Sequence, residues 1–327
     1  MADELLKIED LRVVFPQRRG ESIAADGVSL TVEKGEIFGI VGESGCGKSI
    51  TSLSILQLIA PPGRIAAGRI LYNGEDLLAL SEKKMQQRIR GSEIAMIFQE
   101  PMTSLNPLLT IGEQIMEPLR FHRKLSRKAA RERAVEMLRA VGIPLPEKRM
   151  GEYPHTLSGG MRQRVMIAIA MCCAPRLLIA DEPTTALDVT TQAQILRLMK
   201  ELQAGQQSSI LLISHDLGVI ANMCDRLAVM YCGAVVEEGS TREIMDSPRH
   251  PYTRGLIDSI PRIRESRDSL HSIPGTVPVN TGDLRGCAFA ERCARCTGLC
   301  RESAPAMQYL GGRHSVRCHH AGGENHG

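Results

Sequence analysis

The sequence predicts an α/β fold organised around a phosphate-binding loop, and three observations carry that prediction. Gly42-Glu43-Ser44-Gly45-Cys46-Gly47-Lys48-Ser49 satisfies G-x-x-x-x-G-K-[ST] at every fixed position. The apolar run Glu36-Ile-Phe-Gly-Ile-Val41 precedes it as a buried strand, and Ile50 to Leu58 follows with helical spacing. Farther on, Leu177-Leu-Ile-Ala180 and Ser209-Ile-Leu-Leu-Ile-Ser214 flank a helical pattern from Thr191 to Leu202. Strands and helices in alternation point to a parallel sheet.

Element by element, Leu11 to Phe15 reads as a strand, and Val28 to Gly35 alternates apolar and polar residues before a glycine turn. Gly68 to Gly74 is a short strand that ends in an Asn-Gly turn. From Glu113 to Gly142 the pattern is helical, with Ser126 as a capping residue and a glycine-proline stop. Leu227 to Gly239 reads as a hairpin turning near Gly233. Periodicity decays after Pro261, and residues 262–327 hold little to fill a core of their own. There is no internal repeat.

Length and composition narrow the class. A chain of 327 residues is ample for a core and fits two domains, or one domain with an appendage. With 43% hydrophobic and 24% charged residues and a net charge of +3, the composition is that of an ordinary folded protein. So small an excess of positive charge, without a basic stripe, gives no ground for a nucleic-acid partner. The N-terminus, Met-Ala-Asp-Glu-Leu-Leu-Lys, lacks the basic and apolar regions of a secretion signal. Val165 to Ala174 is too short to cross a bilayer, so the expectation is a cytosolic protein that meets membrane only through partners.

The phosphate loop implies a nucleoside triphosphate. Its glycines let backbone N–H groups converge on the phosphates, and the following helix adds its positive end. Lys48 is placed to reach the β- and γ-phosphates, and Ser49 to ligate Mg²⁺. Asp181-Glu182 at the end of an apolar strand supplies two acids at the kind of edge where the loop also ends. Asp181 suits Mg²⁺, directly or through water, and Glu182 suits polarising the water that attacks the γ-phosphate. Ser158-Gly159-Gly160, opening a helix, is a second place to cradle phosphate.

In this order the motifs resemble the ATP-binding subunits of ABC transporters. The signature loop of that family reads Leu-Ser-Gly-Gly-Gln, matched by Leu157-Ser158-Gly159-Gly160 with Met161 in the last place. The resemblance implies four further roles. Gln99 reaches the metal and couples to the membrane subunit, and His215 is the switch histidine. Thr185 to Asp188 crosses the dimer interface, and Phe15 stacks on adenine. It also implies a P-loop ABC ATPase core with an antiparallel β subdomain and a helical signature subdomain at about residues 100–170. The ATPase domain would span residues 1–261, and a small Cys-rich extension residues 262–327. In this family two chains pair head to tail, each ATP lying between one chain's Lys48 side and the other's Ser158 side.

Glu100-Pro-Met-Thr-Ser-Leu-Asn-Pro107, the Met-containing signature loop and Arg249-His-Pro-Tyr-Thr-Arg-Gly-Leu256 resemble the peptide and nickel importer branch. His250-Pro-Tyr is also read as a turn packed on the ATPase core. The branch implies a second ATPase subunit, two membrane permease subunits and an external substrate-binding protein. The chain would then lie on the cytoplasmic face of the membrane and power uptake of di- or oligopeptides. Nickel or another solute of the same branch is the nearest alternative. A soluble ABC ATPase acting on DNA or the ribosome, and a redox-sensing regulator, are readings of other classes.

Five of the ten cysteines fall between Cys287 and Cys318, a density that in a reducing compartment points to metal rather than to disulfides. Four thiolates suit structural Zn²⁺ or an iron–sulfur cluster, and the spacing alone does not choose. The resemblance to dipeptide importer ATPases implies a [4Fe–4S] cluster on Cys287, Cys293, Cys300 and Cys318, with Cys296 as an extra thiol. Arg292, Arg295, Arg301 and Arg317 lie among them, and cations so placed favour thiolate.

Overall fold

The computed structural model describes residues 3–18, 20–99, 104–185, 187–260, 273–278 and 285–321. The expected domain boundary at 261/262 and the segment Glu100–Thr103 lie outside these residues. The strands, in chain order, are β1 (Glu4–Pro16), β2 (Glu21–Glu33), β3 (Ile37–Val41), β4 (Arg64–Tyr72), β5 (Glu75–Asp76) and β6 (Ile94–Ile97). Then follow β7 (Leu177–Asp181), β8 (Ser209–Ser214), β9 (Arg226–Tyr231), β10 (Ala234–Ser240), β11 (Gln308–Gly311) and β12 (His314–Val316). The chain divides into two compact units, one mainly Ala79–Ile213, the other Glu4–Val32, Ile37–Leu78 and the chain from Ser214 onward.

In the first unit β6, β7 and β8 run parallel, with Ile94 opposite Leu177 and Ala180 opposite Leu212. All five residues of β7 are buried, which is why this strand reads as an unbroken apolar run: a parallel strand is covered on both faces. The helical pattern before it resolves into two helices. Ile111–His122 opens on a capping box in which Thr110 Oγ1 accepts from Glu113 N–H at 3.3 Å and Glu113 Oε2 accepts from Thr110 N–H at 3.0 Å. Arg127–Ala140 opens on Ser126, whose hydroxyl accepts from Ala129 N–H at 3.3 Å. Two further helices, Gly159–Met171 and Val189–Gln206, flank β7 in sequence.

The second unit holds the antiparallel subdomain, a four-stranded sheet in the order β2-β1-β4-β5. Asn73 and Gly74 turn β4 into β5 with φ of 47° and 81°, the left-handed pair an Asn-Gly hairpin turn requires. Elsewhere in this unit β3 pairs parallel with β9, Phe38 opposite Arg226. The β9–β10 hairpin turns at Cys232 and Gly233, again both left-handed. The cysteine-bearing segment contributes β11 and β12, and β12 pairs antiparallel with β10, Glu237 opposite Val316. Glu237, fully buried, is the pin at that seam. Its carboxylate accepts from the Arg249 and His250 amides at 2.6 and 2.9 Å and lies 2.7 Å from His314 Nε2. Among the described residues no helix is long and apolar enough to cross a membrane.

Candidate active site

The phosphate loop occupies residues 42–47 between β3 and the helix Lys48–Ile55. Gly47 caps that helix at φ 100°, and a Cβ there would fall 2.3 Å from the Ala24 carbonyl oxygen, so only glycine fits. Lys48 is buried, its ammonium donating to the Gly42 and Glu43 carbonyls at 2.7 and 2.9 Å. Burial holds the Cys46 thiol above its ordinary pKa despite the nearby Lys48, so this residue is a neutral part of the loop's underside. Ser44 and Gly45 are exposed and Ser49 half-buried at the start of the helix. Phe15, at the end of β1, is half-buried with its ring against Gly63, where an added Cβ would come within 2.4 Å of it. His215 is exposed just after β8, and the next residue, Asp216, caps the helix Leu217–Met223 through the Gly218 and Val219 amides.

The first unit gathers the acids and Gln99. Asp181 ends β7 buried, and Glu182 follows in a left-handed conformation, φ 46°, that swings its side chain out of the strand line. Its N–H is held by the Ile213 carbonyl at 2.9 Å. Its carboxylate Oε2 accepts from Gln99 Nε2 at 3.1 Å and from Thr185 Oγ1 at 2.9 Å. Gln99 and Glu182, read from the sequence in separate roles, are thus hydrogen-bonded to each other, and Thr185, read only as part of an interface loop, bonds the same carboxylate oxygen. Asp188 caps the helix Val189–Gln206, accepting from Thr191 N–H at 3.0 Å and Thr191 Oγ1 at 2.7 Å, bonds that lower its pKa. Ser158 caps Gly159–Met171 by accepting from Met161 N–H at 3.4 Å. Gly159 and Gly160 form that helix's first turn, with exposed backbone at Gly159.

Two residues that the sequence gave no part in the site touch the phosphate loop. Tyr252 Oη, in the His250-Pro-Tyr turn, accepts from the Glu43 amide at 2.9 Å. Arg292, from among the cysteines, grips the Glu43 carboxylate with both terminal nitrogens at 2.7 and 3.0 Å. Its expected part as a cation for the thiolates is thus corrected: the guanidinium is committed to a carboxylate 249 positions away.

The metal expectation for the tail finds no support in the arrangement of the described residues. Among the described residues no group of three or more His, Cys, Asp or Glu side chains is arranged to hold a metal ion. The cysteines are nonetheless neighbours. Burial pushes Cys287 up to about 11, and the charges of Cys300, Cys318 and Cys293 add to the rise. Cys300 Sγ lies 3.5 Å from His320 Nε2, and Cys318 Sγ accepts from the His320 amide at 3.4 Å. Cys296 Sγ turns to the Thr297 carbonyl at 3.5 Å.

Comparison with known proteins finds related sequences and structures. A family model described as ABC transporter matches residues 25–185, and one described as the oligopeptide/dipeptide transporter C-terminal region matches residues 236–300. An oligopeptide transport ATP-binding protein of Bacillus subtilis is 53% identical over 96% of this chain and 88% of its own length. A dipeptide transport ATP-binding protein of Haemophilus influenzae is 49% identical over 96% and 95%. Among solved structures, an ATP-binding cassette dimer in a post-hydrolysis state with ADP and Pi superimposes with a TM-score of 0.65. That match has 30% identity and covers 73% of this chain and 99% of that one.

Proposed function

The chain belongs to the ABC transporter family of ATP-binding proteins, and we propose that it is the ATP-hydrolysing subunit of a di- or oligopeptide importer. The observation that carries the catalytic part is the Glu182 carboxylate, held by Gln99 and Thr185 at the end of β7. A carboxylate fixed by two donors keeps one orientation, as a group that aligns attacking water must. Lys48 reaches the β- and γ-phosphates from its seat on the Gly42 and Glu43 carbonyls. The hydroxyl of Ser49, the carboxylate of Asp181 and the amide oxygen of Gln99 are hard oxygen donors of the kind Mg²⁺ accepts, and the ion neutralises phosphate charge when bound. Phe15 stacks on adenine, and His215 monitors the γ-phosphate.

The pairing is head to tail with a second ATPase subunit, the Ser158-Gly159-Gly160 turn of one chain closing over nucleotide bound at the other's Lys48. Asp188 lies on the facing loop. Two membrane permeases and an external binding protein complete the importer, with this chain on the cytoplasmic face. Peptide cargo is supported by the transport proteins to which the chain is similar. A [4Fe–4S] cluster at Cys287, Cys293, Cys300 and Cys318 rests on the resemblance of the tail to dipeptide importer ATPases alone, since the described residues form no group arranged to hold a metal ion. The direct test of the catalytic reading is Glu182→Gln, which is expected to bind ATP as the unaltered chain does and to lose at least about a hundredfold in turnover. Unchanged hydrolysis removes Glu182 from that role.

A further inference from the structure

We propose that Arg292 and Tyr252 are positioning residues of the phosphate loop, acting through Glu43, so that the C-terminal segment sets the affinity for nucleotide. The inference rests on the ATP-binding reading above. Glu43 stands at a position the loop motif leaves open, yet each of its polar groups is engaged. Its amide donates to Tyr252 Oη at 2.9 Å, its carboxylate receives the Arg292 fork at 2.7 and 3.0 Å, and its carbonyl accepts from Lys48 Nζ at 2.9 Å. Whatever fixes the two outer groups therefore fixes the carbonyl on which the phosphate-binding lysine rests.

Arg292 is built for this. Only 5% of its side chain is exposed, and all five of its N–H donors have acceptors. Nε donates to the Pro274 carbonyl at 2.9 Å. Nη1 serves Glu43 and Tyr231 Oη, the latter at 3.3 Å, and Nη2 serves Glu43 and the Ile273 carbonyl, also at 3.3 Å. The guanidinium also lies over the rings of Tyr231 and Phe289, 5.7 and 5.9 Å from their centroids. A lysine has neither the fork nor the five directions to replace it. Tyr252 is locked in the same cluster, 4.6 Å from the Tyr231 ring and 5.4 Å from that of Phe289. The short turn that carries Arg292 lies between Cys287 and Cys293 and is closed by the Ala290 amide on the Cys287 carbonyl and the Cys293 amide on the Ala290 carbonyl. The fold of the cysteine segment and the position of Glu43 are thus one mechanical unit.

The test is a double-mutant cycle on the full chain, read as ATP affinity and as KM and kcat for hydrolysis. Arg292→Met and Glu43→Gln are each expected to raise the ATP Kd and KM about tenfold with kcat changed less than about threefold. The double variant is expected to be no worse than the weaker-binding single one, because both remove the same link. An Arg292→Met chain that melts cooperatively with unaltered affinity overturns the proposal, as do additive effects. Where Arg292→Met fails to fold, Glu43→Gln alone decides, and unaltered affinity in it overturns the proposal equally. Lys48→Ala separates the two levels. If it leaves ATP binding unchanged, the nucleotide reading itself falls; if it weakens binding while Arg292→Met does not, only the positioning role does.

Discussion

His250 makes the protein sensitive to mild acid, and the size of the effect follows from its surroundings. The ring is 1% exposed, and its Nδ1 accepts from the Tyr252 amide at 3.1 Å, which leaves the ring proton on Nε2. Burial lowers its pKa to about 4, overriding the opposing pull of the Glu237 carboxylate. The Phe289 ring, 5.7 Å away, is an uncharged neighbour. In the unfolded chain the same histidine titrates near about 6.5. The folded state therefore binds this proton less readily than the unfolded state, and stability falls as pH drops from about 6.5 to about 4, then levels off. Between about pH 7 and about pH 5 the loss from this one residue is roughly 2 kcal/mol. Urea unfolding at the two pH values, repeated on His250→Asn, isolates it. Asparagine keeps an acceptor for the Tyr252 amide and cannot titrate, so the variant starts less stable but loses about 2 kcal/mol less on acidification. Equal acid losses in the two proteins refute the reasoning.

The remaining predictions concern the signature helix and the cysteines. Ser158→Ala removes the cap on Gly159–Met171 and is expected to cost about 1 kcal/mol in unfolding free energy, with a fall in turnover wherever two chains must close on ATP. Unaltered stability would show the 3.4 Å bond to be idle. Protein purified without oxygen is expected to carry iron and sulfide near four per chain, with broad absorption around about 400 nm. Zinc alone, or neither metal, sinks the cluster assignment while leaving the ATPase reading intact.

What was legible in the sequence was local. The phosphate loop, its flanking strand and helix, the cap at Ser126, the helix opening at Ser158 and the hairpin turn near Gly233 each depend on residues a few positions apart, and the structure forms all of them. The turn at His250-Pro-Tyr was legible as packing, but its grip on the phosphate loop was not. The Tyr252–Glu43 bond joins residues 209 positions apart, and no period or motif records such a pairing. Arg292 was misread for the same reason, its nearest sequence neighbours being thiols while its partner is Glu43. The β11–β12 hairpin escaped notice because strands of four and three residues are too short for an alternation to register.

Fixed and open positions of a motif carry different information. The fixed residues Lys48, Ser158 and Glu182 announce chemistry, because phosphate, helix terminus and water each demand one kind of group. The open positions, Glu43, Cys46 and Met161, announce nothing alone, and the structure gives each a different meaning. Met161 serves through its backbone N–H on Ser158, so the exchange of glutamine for methionine leaves the cap unaltered. Cys46 fills buried space as a neutral thiol. Glu43 has its side chain tied far outside its own motif, by a buried arginine whose every donor is spent. A half-exposed loop glutamate has water as an adequate partner, so committing a desolvated guanidinium to it makes sense only if the loop's position matters to what the loop binds. That is why the open position Glu43, and not only the motif's lysine, is a place where the C-terminal segment has a hold on the phosphate loop.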